Sequence, residues 1–350
     1  MTNRVVITGI GGVSSIGMSV PEIYNSFREG KSGIGQLEFP DVTRLKIKTG
    51  GQIKNFNPSD HFELKLVGRM DRFSQFALLA ANEAIKNSGL ANSDKDWSEN
   101  AGVILGSSIG GIETINNSYK QVYEEGHNRL HPLTIPKIMN NSATSLISIE
   151  FQIQGPSFTV SSACSSANHA MGLAYETIKY KKSDIIITGG AESFLNFGGI
   201  KPWESLRVLS PSKCRPFSKE RDGLVLGEGA GIFVFESLDS AKKRKAEIIA
   251  EVAGFSMSSD ASDLIKPNNI GPQKALNGVL KNGMINKTDV SYINAHGTGT
   301  LLNDKMESES IIKVFGPHSR SIKVSSTKAM HGHLIGATAA IELLACTLAI

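Results

Sequence analysis

The sequence predicts an α/β fold with parallel strands, and two observations carry that expectation. The first is alternation. Short apolar runs that read as buried strands, Arg4 to Ile10, Ala101 to Gly106, Asp184 to Gly190 and Val290 to Ala295, are separated by stretches with helical spacing. The second is an internal repeat. Val160, Ser161 and Ser162 recur as Val324, Ser325 and Ser326; His169 and His333 then stand at one matching offset, Gly172 and Gly336 at another. The repeat sets Cys164 opposite Lys328 and predicts two similar halves whose small-residue turns meet in a common cleft.

Composition bounds the rest. A chain of 350 residues, 40% hydrophobic and 20% charged, has ample core and no disorder signature. Its net charge of +4 is spread along the sequence, which argues against nucleic acid and leaves room for a local basic patch facing an acidic partner. Three cysteines are too few for a disulfide framework. The chain starts directly in a strand pattern, without a signal-peptide pattern, and no apolar run has membrane-spanning length, so a reducing, cytoplasmic setting is expected.

In chain order, the strand from Arg4 is expected to enter a glycine and serine turn over Gly9 to Gly17. Ser14 stands where a dinucleotide fingerprint needs its third glycine, so no nucleotide cofactor is expected. Pro21 to Gly30 and Phe73 to Ser88 have amphipathic helical spacing. Gly106, Ser107, Ser108, Ile109 and Gly110 follow a strand and match the G-x-S-x-G nucleophile elbow, making a serine hydrolase the rival enzyme reading. Asp222 to Glu236 reads as strand broken by glycines, Ala241 to Lys245 as a charged helical turn, and Lys266 to Pro272 as a loop before a helix from Lys274 to Asn282.

The stretch from Thr159 to Glu176 is the centre of the chemistry. A strand signal runs through small residues to Cys164, and Ala167, Ala170, Met171, Ala174 and Ile178 then recur at helical spacing. Cys164 is thus expected at a helix N-terminus, where unpaired N–H groups and the helix dipole favour a thiolate. An inert buried cysteine fits this stretch equally well. His331 and His333 resemble half a zinc site, but no third ligand is spaced for it and no metal is expected. Cys214 and Cys346 lack motifs and read as structural.

Three stretches together carry a resemblance. Ser162 to Ser166 (SACSS), Asn294 to Thr300 (NAHGTGT) and Ser326 to His333 (STKAMHGH) are similar to the active-site motifs of β-ketoacyl-acyl carrier protein synthases of the elongating type II class. Arg69 to Phe73, Arg215 to Phe217 and Lys219 to Gly231 resemble the same family, so the likeness spans the chain. It implies a thiolase fold, two pseudo-symmetric αβαβα halves, taken as residues 1–250 with the nucleophile and 251–350 with the histidines. It also implies decarboxylative condensation of an acyl thioester with malonyl-acyl carrier protein in fatty acid elongation.

By that resemblance Cys164 takes the acyl group, His296 and His333 stabilise the malonyl enolate, and Lys328 sets the local field and orients His333. Glu342 either holds Lys328 or only occupies a helix face. Thr298 and Thr300 match positions that hold the phosphopantetheine arm, and Ile109 and Trp203 positions that line the acyl pocket, which Trp203 would narrow. An acidic carrier protein is the implied partner, with Lys65, Arg69 and Arg207 as docking candidates, and a homodimer is the implied assembly. The family continues beyond the point matching Ile350, so the second half is expected to be incomplete and residues 1–350 to be a fragment. Two alternatives stay open: a ketosynthase of a polyketide, polyene or signal-lipid pathway, and a non-catalytic chain-length partner subunit. The presence of Cys164 with both histidines argues against the latter.

Overall fold

A computed structural model describes residues 2–92 and 96–350. The core strand β1 (Val5–Ser14) is buried along its whole length. After it come the helices α1 (Val20–Glu29) and α2 (Arg72–Asn87), strand β2 (Gly102–Gly106) and helix α3 (Ile112–Tyr123). The next elements are β3 (Ser157–Val160), α4 (Ser166–Lys179), β4 (Ile185–Glu192), α5 (Phe197–Leu206), β5 (Gly229–Ser237) and β6 (Ala250–Val252). The last part carries α6 (Ile270–Gly283), β7 (Tyr292–Asn294), α7 (Leu301–Phe315), β8 (Lys323–Ser325) and α8 (Thr338–Leu348). Pro272, expected in a loop, lies in the first turn of α6, where a missing N–H costs nothing.

Six strands form one sheet in the order β3-β2-β4-β5-β1-β6. The parallel expectation holds for β3, β2 and β4. It fails beyond them: β5 runs antiparallel to both β4 and β1, and β6 antiparallel to β1. The reason lies in the connection. The chain leaves β4 at Glu192, stays at that end of the sheet to build α5 and the site, and enters β5 at Gly229, which pairs with Glu192 itself. With no crossover to the opposite end, the returning strand must run backwards.

A second correction concerns β1. It does not turn at Gly9 but continues through Gly9, Gly11 and Gly12, with a bulge in its register between Ile7 and Gly9; the tight turn comes at Ser14 to Gly17. These glycines serve a helix contact. A Cβ at Gly11 would lie 2.0 Å from the Ala80 carbonyl oxygen and one at Gly9 2.2 Å from that of Ala84, so α2 rests backbone to backbone on the strand.

Side chains alternate across the sheet and give it two cores. Val103, Leu105, Ile187, Ile232 and Val234 face α2, which contributes Phe73, Phe76, Ala77, Ala81 and Ala84. Each buried phenylalanine there stabilises the fold by about 2–3 kcal/mol. Ile104, Ile186, Phe233 and Phe235 face the other way, onto Ala167, Ala170, Met171 and Ala174 of α4 and Ala340 and Leu344 of α8.

The repeat is visible in three dimensions. The parallel pair β7–β8 registers Ile293 with Val324, as β2–β3 registers Gly106 with Val160, so the two repeated valines occupy equivalent strands. After them the halves diverge. In the first, α4 follows Cys164 almost at once; in the second, a single helical turn, Lys328–His331, is broken by Gly332 at φ +77 before α8 begins. His169 therefore sits within a helix, whereas His333 sits in a loop free to face Cys164.

Candidate active site

Cys164 occupies a strained elbow. The chain leaves β3, places Ala163 in the left-handed region at φ +50, makes a 3-10 turn over Ala163–Ser165 and starts α4 at Ser166. Ser166 fastens the bend: its Oγ accepts from the Ser162 N–H at 2.9 Å and donates to the Ala163 carbonyl at 2.7 Å. The elbow rests against Gly106, where a Cβ would come 2.2 Å from the Ala167 nitrogen. The helix N-terminus expected from sequence is present, yet burial outweighs it. Enclosure pushes the Cys164 thiol up to about 11, opposed by the Lys328 ammonium, so the resting group at pH 7 is a thiol.

Two imidazoles face the thiol. His333 Nε2 lies 3.0 Å from Cys164 Sγ, the rings of His296 and His333 meet edge to face at 5.5 Å, and the reactive atoms of the three residues fall within 4.8 Å of one another. The tautomer of His333 follows from its other nitrogen. Nδ1 accepts from the backbone N–H of Ile335 at 3.2 Å and pairs with Thr338 Oγ1 at 2.8 Å, so the ring proton resides on Nε2 and points at the sulfur. Burial, then the charge of Lys328, hold His333 well below its usual range. Enclosure by the cleft walls and Lys328 likewise lower His296 to about 3. His296 keeps an exposed face on the cleft, and both imidazoles are neutral at pH 7. A Cys-His-His set invites the thought of zinc, but a metal on Nε2 would move the ring proton onto Nδ1, where the Ile335 N–H already points.

The layer beneath is ionic. Lys328 is completely buried, donates to the His296 carbonyl at 2.5 Å and forms an ion pair with Glu342, whose carboxyl burial raises and Lys328 draws back. This resolves the two readings of Glu342 and corrects one for Lys328: it grips the His296 backbone, while His333 is oriented by Ile335 and Thr338. The His296 and Gly297 N–H groups donate to Glu307 at 2.6 and 2.7 Å, and Gly299 N–H to Asp304 at 3.2 Å, so the first turns of α7 clamp the histidine loop. Glu307, Asp304 and Thr338 escaped sequence reading, as did the left-handed backbone of Ala163. For the two acids the usable signal was their helical spacing directly after the glycine-threonine run.

A cleft of about 470 Å³ opens over the thiol, lined by Cys164, His296, His333, Thr298, Thr300 and Trp203, with Arg207 at its rim. The two threonine hydroxyls bond each other at 2.8 Å. Ile109 is not on this wall; its turn is tied by its N–H to Glu192 at 3.3 Å. Lys65 and Arg69 are exposed, away from the cleft lining. Ser108, the rival nucleophile, directs its hydroxyl to the buried Glu192, and no histidine bonds it among the described residues, which removes the serine triad. His331 is enclosed, its Nδ1 on the Gly332 carbonyl at 2.7 Å and its Nε2 on Thr327 Oγ1 at 2.9 Å. Cys214 is buried against the Thr298 carbonyl, and Cys346 lies half-buried in α8. No helix among the described residues is long and apolar enough to cross a membrane.

A layered α/β fold that sets a cysteine elbow beneath two neutral imidazoles defines the condensing acyltransferases of the thiolase fold. Residues 2–241 match the Beta-ketoacyl synthase, N-terminal domain, and residues 249–350 the Beta-ketoacyl synthase, C-terminal domain. The chain belongs to the β-ketoacyl synthase family. It is 43% identical over 350 residues, 100% of this chain and 87% of the relative, to Nodulation protein E of Rhizobium leguminosarum bv. trifolii. It is 38% identical over 354 residues, 99% of this chain and 85% of the relative, to 3-oxoacyl-acyl-carrier-protein synthase 2 of Staphylococcus aureus. The solved ishigamide ketosynthase/chain length factor superposes with a TM-score of 0.93 at 33% identity, over 100% of this chain and 86% of that one.

Proposed function

We propose that the protein extends an acyl chain by decarboxylative Claisen condensation of an acyl thioester with malonyl-acyl carrier protein, giving 3-oxoacyl-acyl carrier protein. The observation that carries this reading is the pair of neutral imidazoles at Cys164, one with its N–H already directed at the sulfur. Cys164 Sγ attacks the acyl thioester; a new C–S bond forms, the old one breaks, and the thiol proton leaves with the departing thiol. In the second half the malonyl carboxylate loses its C–C bond. Carbon dioxide departs, and the electron pair enters an enolate whose oxygen accepts from the N–H groups of His296 and His333. The enolate carbon then attacks the acyl group on Cys164, the C–S bond breaks, and the freed thiolate takes up one proton. Thr298 and Thr300 hold the amides of the phosphopantetheine arm, and Trp203 limits the acyl chain.

The pathway has two readings. Fatty acid elongation is the first. The second, a ketosynthase of a polyketide, polyene or signal-lipid pathway, is supported by a solved type II PKS ketosynthase bound to the hexaketide, which superposes with a TM-score of 0.87 at 29% identity. In either, the protein pairs with a second subunit of the same fold. The support is β3, an open sheet edge carrying exposed Phe158, and the helix Ser142–Phe151 packed beside it, which exposes Ile149. The test is release of carbon dioxide and formation of a 3-oxoacyl product from acyl and malonyl carrier protein. The wild-type chain should yield both and Cys164→Ala no condensation product; a wild-type chain that is folded yet yields neither contradicts the reading.

A further inference from the structure

Glu192 is completely buried at the end of β4 and no step above uses it. Its carboxylate collects donors from two separate turns. From the turn after β2 come the Ser108 N–H at 2.7 Å, the Ser108 hydroxyl, the Ile109 N–H at 3.3 Å and the Ser107 hydroxyl at 3.3 Å. From the turn after His333 comes the Gly336 N–H at 3.1 Å. That second contact falls beside an unusual backbone. Ile335 lies at φ +44, a left-handed conformation costly for a β-branched residue, which persists only where its surroundings hold it. The same Ile335 presents its N–H to His333 Nδ1. Gly336 has no room for a side chain, since a Cβ would lie 2.4 Å from Glu192 Oε2.

We infer that Glu192 is a positioning residue: by holding the Gly336 N–H it keeps Ile335 in its strained conformation, aims the Ile335 N–H at His333 Nδ1, and so keeps the ring proton on Nε2, facing Cys164. The inference rests on the proposed roles of Cys164 and His333. Burial raises the carboxyl of Glu192, and the donors from Ser108, Ile109 and Gly336 draw it back. Oε2 takes the Gly336 N–H and both Ser108 donors and Oε1 takes the Ile109 N–H and the Ser107 hydroxyl, so a leucine in place of Glu192, similar in size, offers no acceptor to either turn.

Long-range ¹H–¹⁵N spectra of His333 in the whole chain read this directly, with Glu192→Leu and Ser108→Ala compared with wild type. Wild type should show a protonated Nε2 and an unprotonated Nδ1. Glu192→Leu should show a mixed or reversed tautomer, with malonyl decarboxylation falling about 100-fold and acyl loading of Cys164 falling less. Ser108→Ala leaves the Gly336 contact in place and should keep the wild-type tautomer. If Glu192→Leu does not fold, Glu192→Asp takes its place, retaining the charge but withdrawing it from Gly336. A folded variant that keeps the wild-type tautomer overturns the inference, as does a wild-type His333 protonated on Nδ1. If wild type neither loads an acyl group nor releases carbon dioxide, the functional reading fails, and the tautomer comparison still decides the role of Glu192.

Discussion

At Cys164, burial and a buried cation act in opposite directions, and burial wins. Alkylation of Cys164 by iodoacetamide is therefore expected to speed up as pH rises from 7 towards about 11, and to slow further in Lys328→Ala; a rate that is flat above pH 7 contradicts this. In the proposed mechanism the histidines serve the other half-reaction. His296→Ala should lower carbon dioxide release from malonyl carrier protein by about 10²–10³-fold while an acyl group still loads on Cys164, since one of two oxyanion donors is lost. His331 gives a pH prediction whose sign follows from its surroundings. Burial holds it at about 3 in the folded chain against an ordinary value of 6.5, so between these limits only the unfolded chain takes up the proton. Its contribution to stability is whole above about pH 6.5 and declines as pH falls, by about 2 kcal/mol at pH 5. Urea midpoints at pH 7 and pH 5 measure this drop, and His331→Phe should make it smaller.

At the scale of elements, what could be read from sequence was whatever short-range pattern dictates. α1 and α2 were legible because their apolar spacing is unambiguous, and the elbow at Cys164 because small residues between a strand and a helix allow few conformations. The direction of β5 was not legible, because it depends on where a long excursion ends rather than on its own residues. The glycines of β1 misled for a related reason: a glycine signals freedom at a turn or closeness to a neighbour, and only the neighbour, α2, distinguishes them. Gly11→Ala should accordingly lower stability by about 1–3 kcal/mol through overpacking against Ala80, read as a lower urea midpoint; an unchanged midpoint contradicts the contact. The site followed the same rule. Cys164, His296, His333 and Lys328 stand within short recognisable strings, whereas Glu307, Thr338 and Glu192 act through contacts between elements, and Lys328 proved to serve His296 because the fold, not the string, chooses its partner.

The whole molecule is two related halves sharing one cleft, with α4 and α8 side by side against the large sheet and the chemistry at the start of each. One half supplies the Cys164 thiol and the other the two imidazoles that face it, so neither turn makes the constellation alone. Arg207 lines the cleft and is exposed, and an acidic partner that docks beside it should be sensitive to its charge. Arg207→Glu is expected to raise the KM for carrier-protein substrates several-fold at low salt while leaving kcat nearly unchanged, an effect that shrinks as salt is added. The central claim is that Cys164 carries the growing chain between two transfers. Its most direct measurement is the intact mass of the protein after mixing with acyl-carrier protein, before and after malonyl-carrier protein is added. The account predicts an acyl adduct on Cys164 that disappears with the second addition and never forms in Cys164→Ala; a folded wild-type protein that gains no adduct, or whose adduct survives malonyl-carrier protein, contradicts it.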